Sequence, residues 1–157
     1  MASPEDRRKA LNRAYGLLKH RPRSSAEVAA YLERLGYDDE TVSATLAALA
    51  AAGHIDDEAF ALAWTDSRLR FRPRSKWLIQ RELESKGIDA DTALKATDGV
   101  DDYATALQLA RRRAQQLRGM DRPTFVRRLM RFLASRGYDR AVCTRVIMEV
   151  LNDASPS

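Results

Sequence analysis

One motif recurs three times along the chain at a nearly constant spacing, and it constrains the fold more than any other feature. In each copy a leucine stands four residues before a glycine, and an apolar residue and an aspartate follow the glycine. The glycines are Gly36, Gly87 and Gly137, which are 51 and 50 residues apart. A fixed period of this length is typical of stacked helical units. The sequence therefore predicts three similar helical units in tandem.

The motif has the chemistry of a helix end followed directly by a helix start. Glycine ends a helix well because it adopts a left-handed backbone without steric cost. The aspartates, Asp38, Asp89 and Asp139, stand where a carboxylate accepts hydrogen bonds from the free amides of the next helix. We therefore expect a positive φ angle at each glycine and an N-cap at each aspartate.

A longer stretch with helical periodicity precedes each of these helix pairs, which gives nine helices in total. The sequence predicts an all-α fold of three tandem three-helix repeats, at residues 1–53, 54–99 and 100–157. The third repeat is expected to end in a short disordered C-terminal tail. Because each repeat is too small to bury a large core alone, we expect neighbouring repeats to pack into an elongated, curved rod.

Two kinds of side chain could suggest a ligand site but fit a core better. Phe60, Trp64 and Phe71 follow a helical stripe, so we predict that Trp64 packs in the core with the other two and does not stack on a ligand. The single cysteine, Cys143, lies at an inward position of the third repeat. We therefore predict that it is a small core residue and not a reactive thiol.

The charge of the chain is divided unevenly. Residues 1–66 hold 8 Lys and Arg against 11 Asp and Glu, a net charge of −3, whereas residues 67–157 hold 19 against 11, a net charge of +8. A basic C-terminal part favours a polyanionic partner. The alternative is a composition in which arginine is simply abundant on solvated faces.

Thirteen basic residues form the candidate binding surface, because arginine can make two parallel hydrogen bonds to a phosphate or a carboxylate. They are Arg68, Arg70, Arg72, Arg74, Lys76, Arg81, Arg111, Arg112, Arg113, Arg118, Arg127, Arg128 and Arg131. The segment around Pro73 contains several of them, with Phe71 and Trp77 interleaved. We expect Arg70, Arg72, Arg74 and Lys76 to face solvent.

The sequence offers little that could support catalysis. It contains two histidines, His20 and His54, one cysteine and no Gly-rich phosphate loop or Cys/His pattern with metal spacing. The acidic run at residues 56–58 fits helix capping better than a cation site. We predict a protein that is not an enzyme and has no cofactor or metal. A polar N-terminus, the lack of a long apolar run and a lone cysteine favour a cytoplasmic protein without a membrane span.

Two stretches of the chain carry a family resemblance. They are residues 53–61, Gly-His-Ile-Asp-Asp-Glu-Ala-Phe-Ala, and residues 74–88, Arg-Ser-Lys-Trp-Leu-Ile-Gln-Arg-Glu-Leu-Glu-Ser-Lys-Gly-Ile. With them the chain resembles the RecX family of bacterial recombination regulators, from about Arg7 to Leu151. Two departures are His54, where a tyrosine is common, and Arg72 before Pro73, where a glycine is common.

The resemblance implies a specific function. RecX-like proteins are tandem three-helix repeats that bind the RecA filament on single-stranded DNA, in its helical groove. They lower its ATP hydrolysis, strand exchange and co-protease activity, and so restrain recombination and the SOS response. The expected partners are thus the RecA nucleoprotein filament and the phosphates of single-stranded DNA, bound by a monomer. The alternative is a stand-alone nucleic-acid-binding helical repeat module.

Overall fold

The structure is a computed structural model, and it describes residues 3–153. This part of the chain contains nine α-helices and no β-strand, which confirms the all-α prediction. The helices are α1 Pro4–Leu18, α2 Ser25–Arg34, α3 Asp39–Ala51, α4 Asp57–Phe71, α5 Lys76–Ser85, α6 Ala90–Ala96, α7 Asp102–Gln116, α8 Arg122–Ser135 and α9 Arg140–Asp153. The C-terminal tail that we predict to be disordered lies outside the described residues.

The three turns have the predicted geometry. The φ angles of the three motif glycines are +93°, +80° and +87°, in chain order. Two residues after each, the aspartate accepts a hydrogen bond from a backbone amide three residues further on, at 2.8, 2.8 and 2.9 Å. The repeated motif therefore ends α2, α5 and α8 and begins α3, α6 and α9.

Packing divides the chain into two compact units. Unit 1 comprises Met1–Trp64 and Leu83–Ala96, and unit 2 comprises Thr65–Glu82 and Thr97–Ser157. The middle repeat therefore contributes to both units, with α4 and α5 each running from one into the other. The repeat boundaries at residues 53/54 and 99/100 stay a prediction.

Unit 1 has its core among α1, α2 and α3, where Ala14, Val28, Leu32 and Leu49 are fully buried. The start of α2 is fixed by hydrogen bonds from two directions. Ser24 forms a capping box with Glu27, and its hydroxyl also donates to the Lys86 carbonyl at 2.6 Å. The region around residue 86 is thereby attached to the first turn of α2.

Unit 2 has its core among α7, α8 and α9, with Leu129, Leu133 and Val146 fully buried. Cys143 is 1% exposed, and burial raises the pKa of its thiol, which confirms the prediction of a small core residue. Burial likewise raises the pKa of Tyr138 to about 12, even though Thr105 lies within hydrogen-bond distance of its hydroxyl, at 2.8 Å. Both groups stay neutral at physiological pH.

The predicted aromatic stripe of α4 is wrong at one position. Phe60 is 7% exposed and stacks against the partly buried Trp64 with ring centroids 6.1 Å apart, but Phe71 is 77% exposed. Residues 57–64 of α4 belong to unit 1 and residues 65–71 to unit 2, so no single core lines the stripe along its whole length. Phe71 is the last residue of the helix, and the chain buries Pro73 beyond it instead.

Aspartates that cap helices should make the free energy of unfolding depend on pH. Hydrogen bonds from the residue three positions later lower the pKa of Asp38, of Asp89 and of Asp121, which is the N-cap of α8. Because the pKa is lower in the folded state, their contribution is complete above the unfolded value of about 4 and is lost as pH falls through the folded value. Changing all three to Asn should flatten this acid-side loss, since Asn caps a helix without titrating. Urea unfolding between neutral and acidic pH measures it, and an unchanged profile in the triple variant would contradict the prediction.

Candidate partner-binding surface

All thirteen basic residues of the predicted surface belong to unit 2. This unit holds 17 Lys and Arg against 9 Asp and Glu, a net charge of +8, whereas unit 1 has a net charge of −3. The charge asymmetry of the sequence is therefore also an asymmetry between two packed bodies. A negatively charged partner should therefore be attracted to unit 2.

Two of the thirteen residues form ion pairs with the same carboxylate. Glu82 accepts a hydrogen bond from Arg68 Nε at 3.2 Å and forms a second ion pair with Arg74. The side chains of Arg68, Arg74 and Glu82 are only 24%, 15% and 19% exposed. Our expectation that Arg74 faces solvent is wrong, because α5 brings Glu82 back beside it.

Lys76 is also less available than expected. Its backbone amide donates to Asp102 Oδ1 at 2.8 Å, and its ammonium group lies 3.5 Å from the Asp98 carbonyl. The neighbouring Ser75 amide donates to the Arg136 carbonyl at 3.0 Å. The segment between α4 and α5 is thus tied to α7 and to the end of α8, and Lys76 is only partly exposed.

The other basic residues of this segment are exposed, as expected. Arg70 is 69% exposed and pairs with Asp66 one helical turn earlier. Arg72 is exposed, and Arg81 lies over the ring of Trp77 at 5.5 Å. These guanidinium groups can reach a partner without unpacking the unit.

The arginines of α7 and of the turn after it have different environments. Arg111 Nε donates to Asp153 at 3.0 Å, and this hydrogen bond raises the pKa of the guanidinium. Arg113 is partly buried and lies 5.1 Å from the centre of the Phe132 ring. Arg112 and Arg118 are exposed, and Arg118 borders an open groove between the ends of α7 and α9.

Helix α8 presents a basic face. Arg127, Arg128 and Arg131 are exposed and share one side of the helix, opposite the buried Leu129 and Leu133. Helical spacing produces this arrangement, since residues three and four apart lie on one face. The helix itself contains four arginines and no acidic residue, so nothing within it neutralises the face.

Two exposed aromatic rings were missed as candidate binding residues. Phe71 is 77% exposed and Trp77 is 58% exposed, and both stand among the exposed arginines of the α4–α5 segment. The helical stripe that assigned Phe71 to the core obscured it. The alternation of aromatic and basic residues around Pro73 was the signal that could have identified both.

The acidic run at the start of α4 has a structural role in this fold. Asp56 accepts a hydrogen bond from the Ala59 amide at 3.1 Å, and Asp57 accepts two from Ser25, at 2.9 and 2.7 Å. Among residues 3–153 no three His, Cys, Asp or Glu side chains are grouped so that they could hold a metal ion. Within the same residues no helix has the length and apolar character needed to cross a membrane.

The fold and this surface define the class: an all-helical repeat protein in which one packed unit is strongly basic. Family models match three consecutive parts of the chain. They are described as the first, second and third three-helix domains of RecX, and they match residues 10–49, 56–96 and 100–147. The chain belongs to the RecX family.

Curated relatives agree with this assignment, and a solved structure has the same fold. The chain is 38% identical to "Regulatory protein RecX" of Thermobifida fusca over 156 residues, which is 96% of this chain and 83% of that protein. It is 34% identical to the protein of the same name from Prosthecochloris aestuarii, over 96% of this chain and 99% of the relative. The crystal structure of RecX from Lactobacillus salivarius matches with a TM-score of 0.83 and 20% identity, over 94% of this chain and 98% of that one.

Proposed function

We propose that this protein is a negative regulator of the RecA recombinase. It binds the RecA filament on single-stranded DNA, in the groove, and lowers the ATPase, strand-exchange and co-protease activities of the filament. Recombination and the SOS response are thereby restrained. It acts in the cytoplasm as a monomer, by binding and not by catalysis, and it uses no cofactor.

The observation that carries the proposal, together with membership of the RecX family, is the basic face of α8. Arg127, Arg128 and Arg131 project from one side of a helix that has no acidic residue, in a unit of net charge +8. A face of this kind suits acidic protein side chains and DNA phosphates, both of which are expected along a nucleoprotein filament. Exposed Arg70, Arg72, Arg81, Arg112 and Arg118 extend the candidate contact set, whereas Arg68 and Arg74 are assigned to internal support.

A titration of RecA ATPase activity tests the proposal. Wild-type protein should suppress the ATPase on single-stranded DNA at sub-stoichiometric concentrations. Changing Arg127, Arg128 and Arg131 to Gln should raise the concentration needed for half-inhibition by about tenfold or more, because three charge-assisted contacts are lost. The salt dependence should also become flatter, by about 2–3 in the log–log slope if the three contacts are to phosphates.

The matched control is the exposed arginines of α1 in unit 1. Changing Arg7, Arg8 and Arg13 to Gln removes the same charge from the chain and should leave inhibition nearly unchanged. Equal inhibition by both triple variants would show that the α8 face does not bind the partner. A protein that binds naked single strands tightly but leaves RecA unaffected would instead support the stand-alone nucleic-acid-binding module.

A further inference from the structure

Phe71 and Trp77 are unusual among the apolar side chains of this protein. Six large hydrophobic residues are exposed in the part of the chain that the structure describes, and these two are the aromatic ones among them. Burying a ring of this size would stabilise the fold in proportion to its apolar area. Because both rings are exposed, neither makes this contribution. Neither ring is needed by the core.

The backbone between the two rings is fixed. Pro73 and Ser75 are buried, the Ser75 amide donates to the Arg136 carbonyl at 3.0 Å, and the Lys76 amide donates to Asp102 at 2.8 Å. The rings are thus held outside the core at the two ends of an anchored segment. Six residues span at most about 20 Å, so both rings lie within reach of one short single strand, whose binding sites cover about 4–16 nucleotides.

Three exposed arginines lie beside the rings. Arg70 and Arg72 flank Phe71 and are exposed. Arg81 lies over one face of the Trp77 ring at 5.5 Å, so a base would stack on the opposite face. The ion pair of Arg70 with Asp66 is exposed on both sides, so a phosphate can replace the carboxylate at little cost. Aromatic faces beside guanidinium groups match the bases and the backbone of a single strand, respectively.

We infer that Phe71 and Trp77 form a stacking site for the bases of single-stranded nucleic acid, with Arg70, Arg72 and Arg81 on its phosphates. The inference deepens the proposed function and rests on it, since it names what the α4–α5 segment contacts on a filament that contains a single strand. A duplex is the wrong partner because the faces of its bases are already stacked on one another. The α4–α5 segment binds unpaired bases, whereas the α8 face attracts a partner by charge alone.

Two probes with equal phosphate counts separate stacking from charge. An oligothymidylate of about 12 nucleotides offers bases, and an abasic strand of the same length offers none. Wild-type protein should bind the first about tenfold or more tightly than the second at low salt. Phe71→Ala and Trp77→Ala should each weaken oligothymidylate binding about fivefold or more, with abasic binding unchanged, and Phe71→Tyr should retain wild-type affinity.

The control is Met148→Ala, which truncates a side chain that is 60% exposed in the same unit and should change neither affinity. A direct readout comes from a Trp64→Phe background, in which Trp77 is the remaining tryptophan of the chain. Its fluorescence should be quenched by oligothymidylate and not by the abasic strand. Each of these measurements is made without RecA, so they are independent of the ATPase test of the proposed function.

Several results would overturn the stacking site. One is equal affinity of the wild-type protein for the two probes, or no measurable binding of oligothymidylate at low salt. Another is unchanged oligothymidylate binding by both alanine variants. If Phe71→Ala weakens inhibition of RecA while binding to the single strand is unchanged, the rings contact protein and not bases.

Discussion

Gly87→Ala should be among the most damaging single substitutions in the chain, with a loss of about 3–5 kcal/mol in the free energy of unfolding. Gly87 has a φ angle of +80°, which costs about 1–2 kcal/mol for an L residue. A Cβ atom on Gly87 would also overlap the Cβ of Ala26 in α2. The overlap is with a short, rigid side chain, so the backbone of one segment has to move.

That movement is resisted by contacts on both sides of Gly87. The Lys86 carbonyl accepts the Ser24 hydroxyl at 2.6 Å, and the Lys86 ammonium group lies 3.7 Å from Glu27. Shifting the turn would stretch these contacts, and a lost hydrogen bond to a buried hydroxyl costs about 1–3 kcal/mol. The cost of the methyl group is therefore larger than the backbone strain alone.

Gly36 provides the matched control because its φ angle is +93° and a Cβ there would meet nothing within 4 Å. Gly36→Ala should cost only the strain, about 1–2 kcal/mol. Adding Ala26→Gly to Gly87→Ala should recover part of the difference, although Gly in α2 itself costs about 0.5–1 kcal/mol. Urea unfolding of these three variants and of Ala26→Gly alone measures the cycle. Equal losses in Gly36→Ala and Gly87→Ala would contradict the steric argument.

The turns could be predicted from the sequence because their determinants are local. A glycine, an apolar residue and an aspartate in succession specify the end of one helix and the cap of the next, whatever the surroundings. The clash of Gly87 with Ala26 could not be predicted in this way, because the two residues are 61 positions apart. Only the packing of α2 against the turn brings them together.

The binding surface was harder to predict than the fold. A solvated arginine and an arginine in a half-buried ion pair look the same in a sequence. Arg74 differs from the exposed Arg72 because it pairs with Glu82, which lies in the next helix. The assignment of Phe71 failed for a related reason. Helical periodicity identifies a stripe, but it does not reveal that the core beneath the stripe changes from one packed unit to another at residue 65.

Glu82→Gln should lower the free energy of unfolding by about 2–4 kcal/mol. Glu82 is 19% exposed and neutralises Arg68 and Arg74, whose side chains are 24% and 15% exposed. Without the carboxylate two guanidinium groups of like charge remain close together and partly desolvated. Removing one partner of a buried ion pair costs about 3–5 kcal/mol, and partial exposure of these three groups reduces the figure.

Asp66→Asn is the control for this prediction, since it also removes one negative charge from unit 2. The carboxylate of Asp66 pairs with Arg70, and the two side chains are 61% and 69% exposed. An exposed pair one helical turn apart is worth about 0.3–0.5 kcal/mol, so the control should be barely destabilised. Urea unfolding at neutral pH distinguishes the two variants, and similar small losses in both would show that solvent, not Glu82, compensates Arg68 and Arg74.

A second substitution separates charge balance from packing around Glu82. If repulsion between the two guanidinium groups causes most of the loss, Arg74→Gln in the Glu82→Gln background should recover part of it, whereas Arg74→Gln alone should destabilise the wild type.

The ion pairs of Glu82 also limit which variants can test the binding surface. Any variant that neutralises Arg74 together with Arg70 and Arg72 will lose stability along with charge, so weaker inhibition of RecA by it would not identify a contact. Arg70, Arg72 and the α8 arginines are exposed, and they can be changed without this confusion.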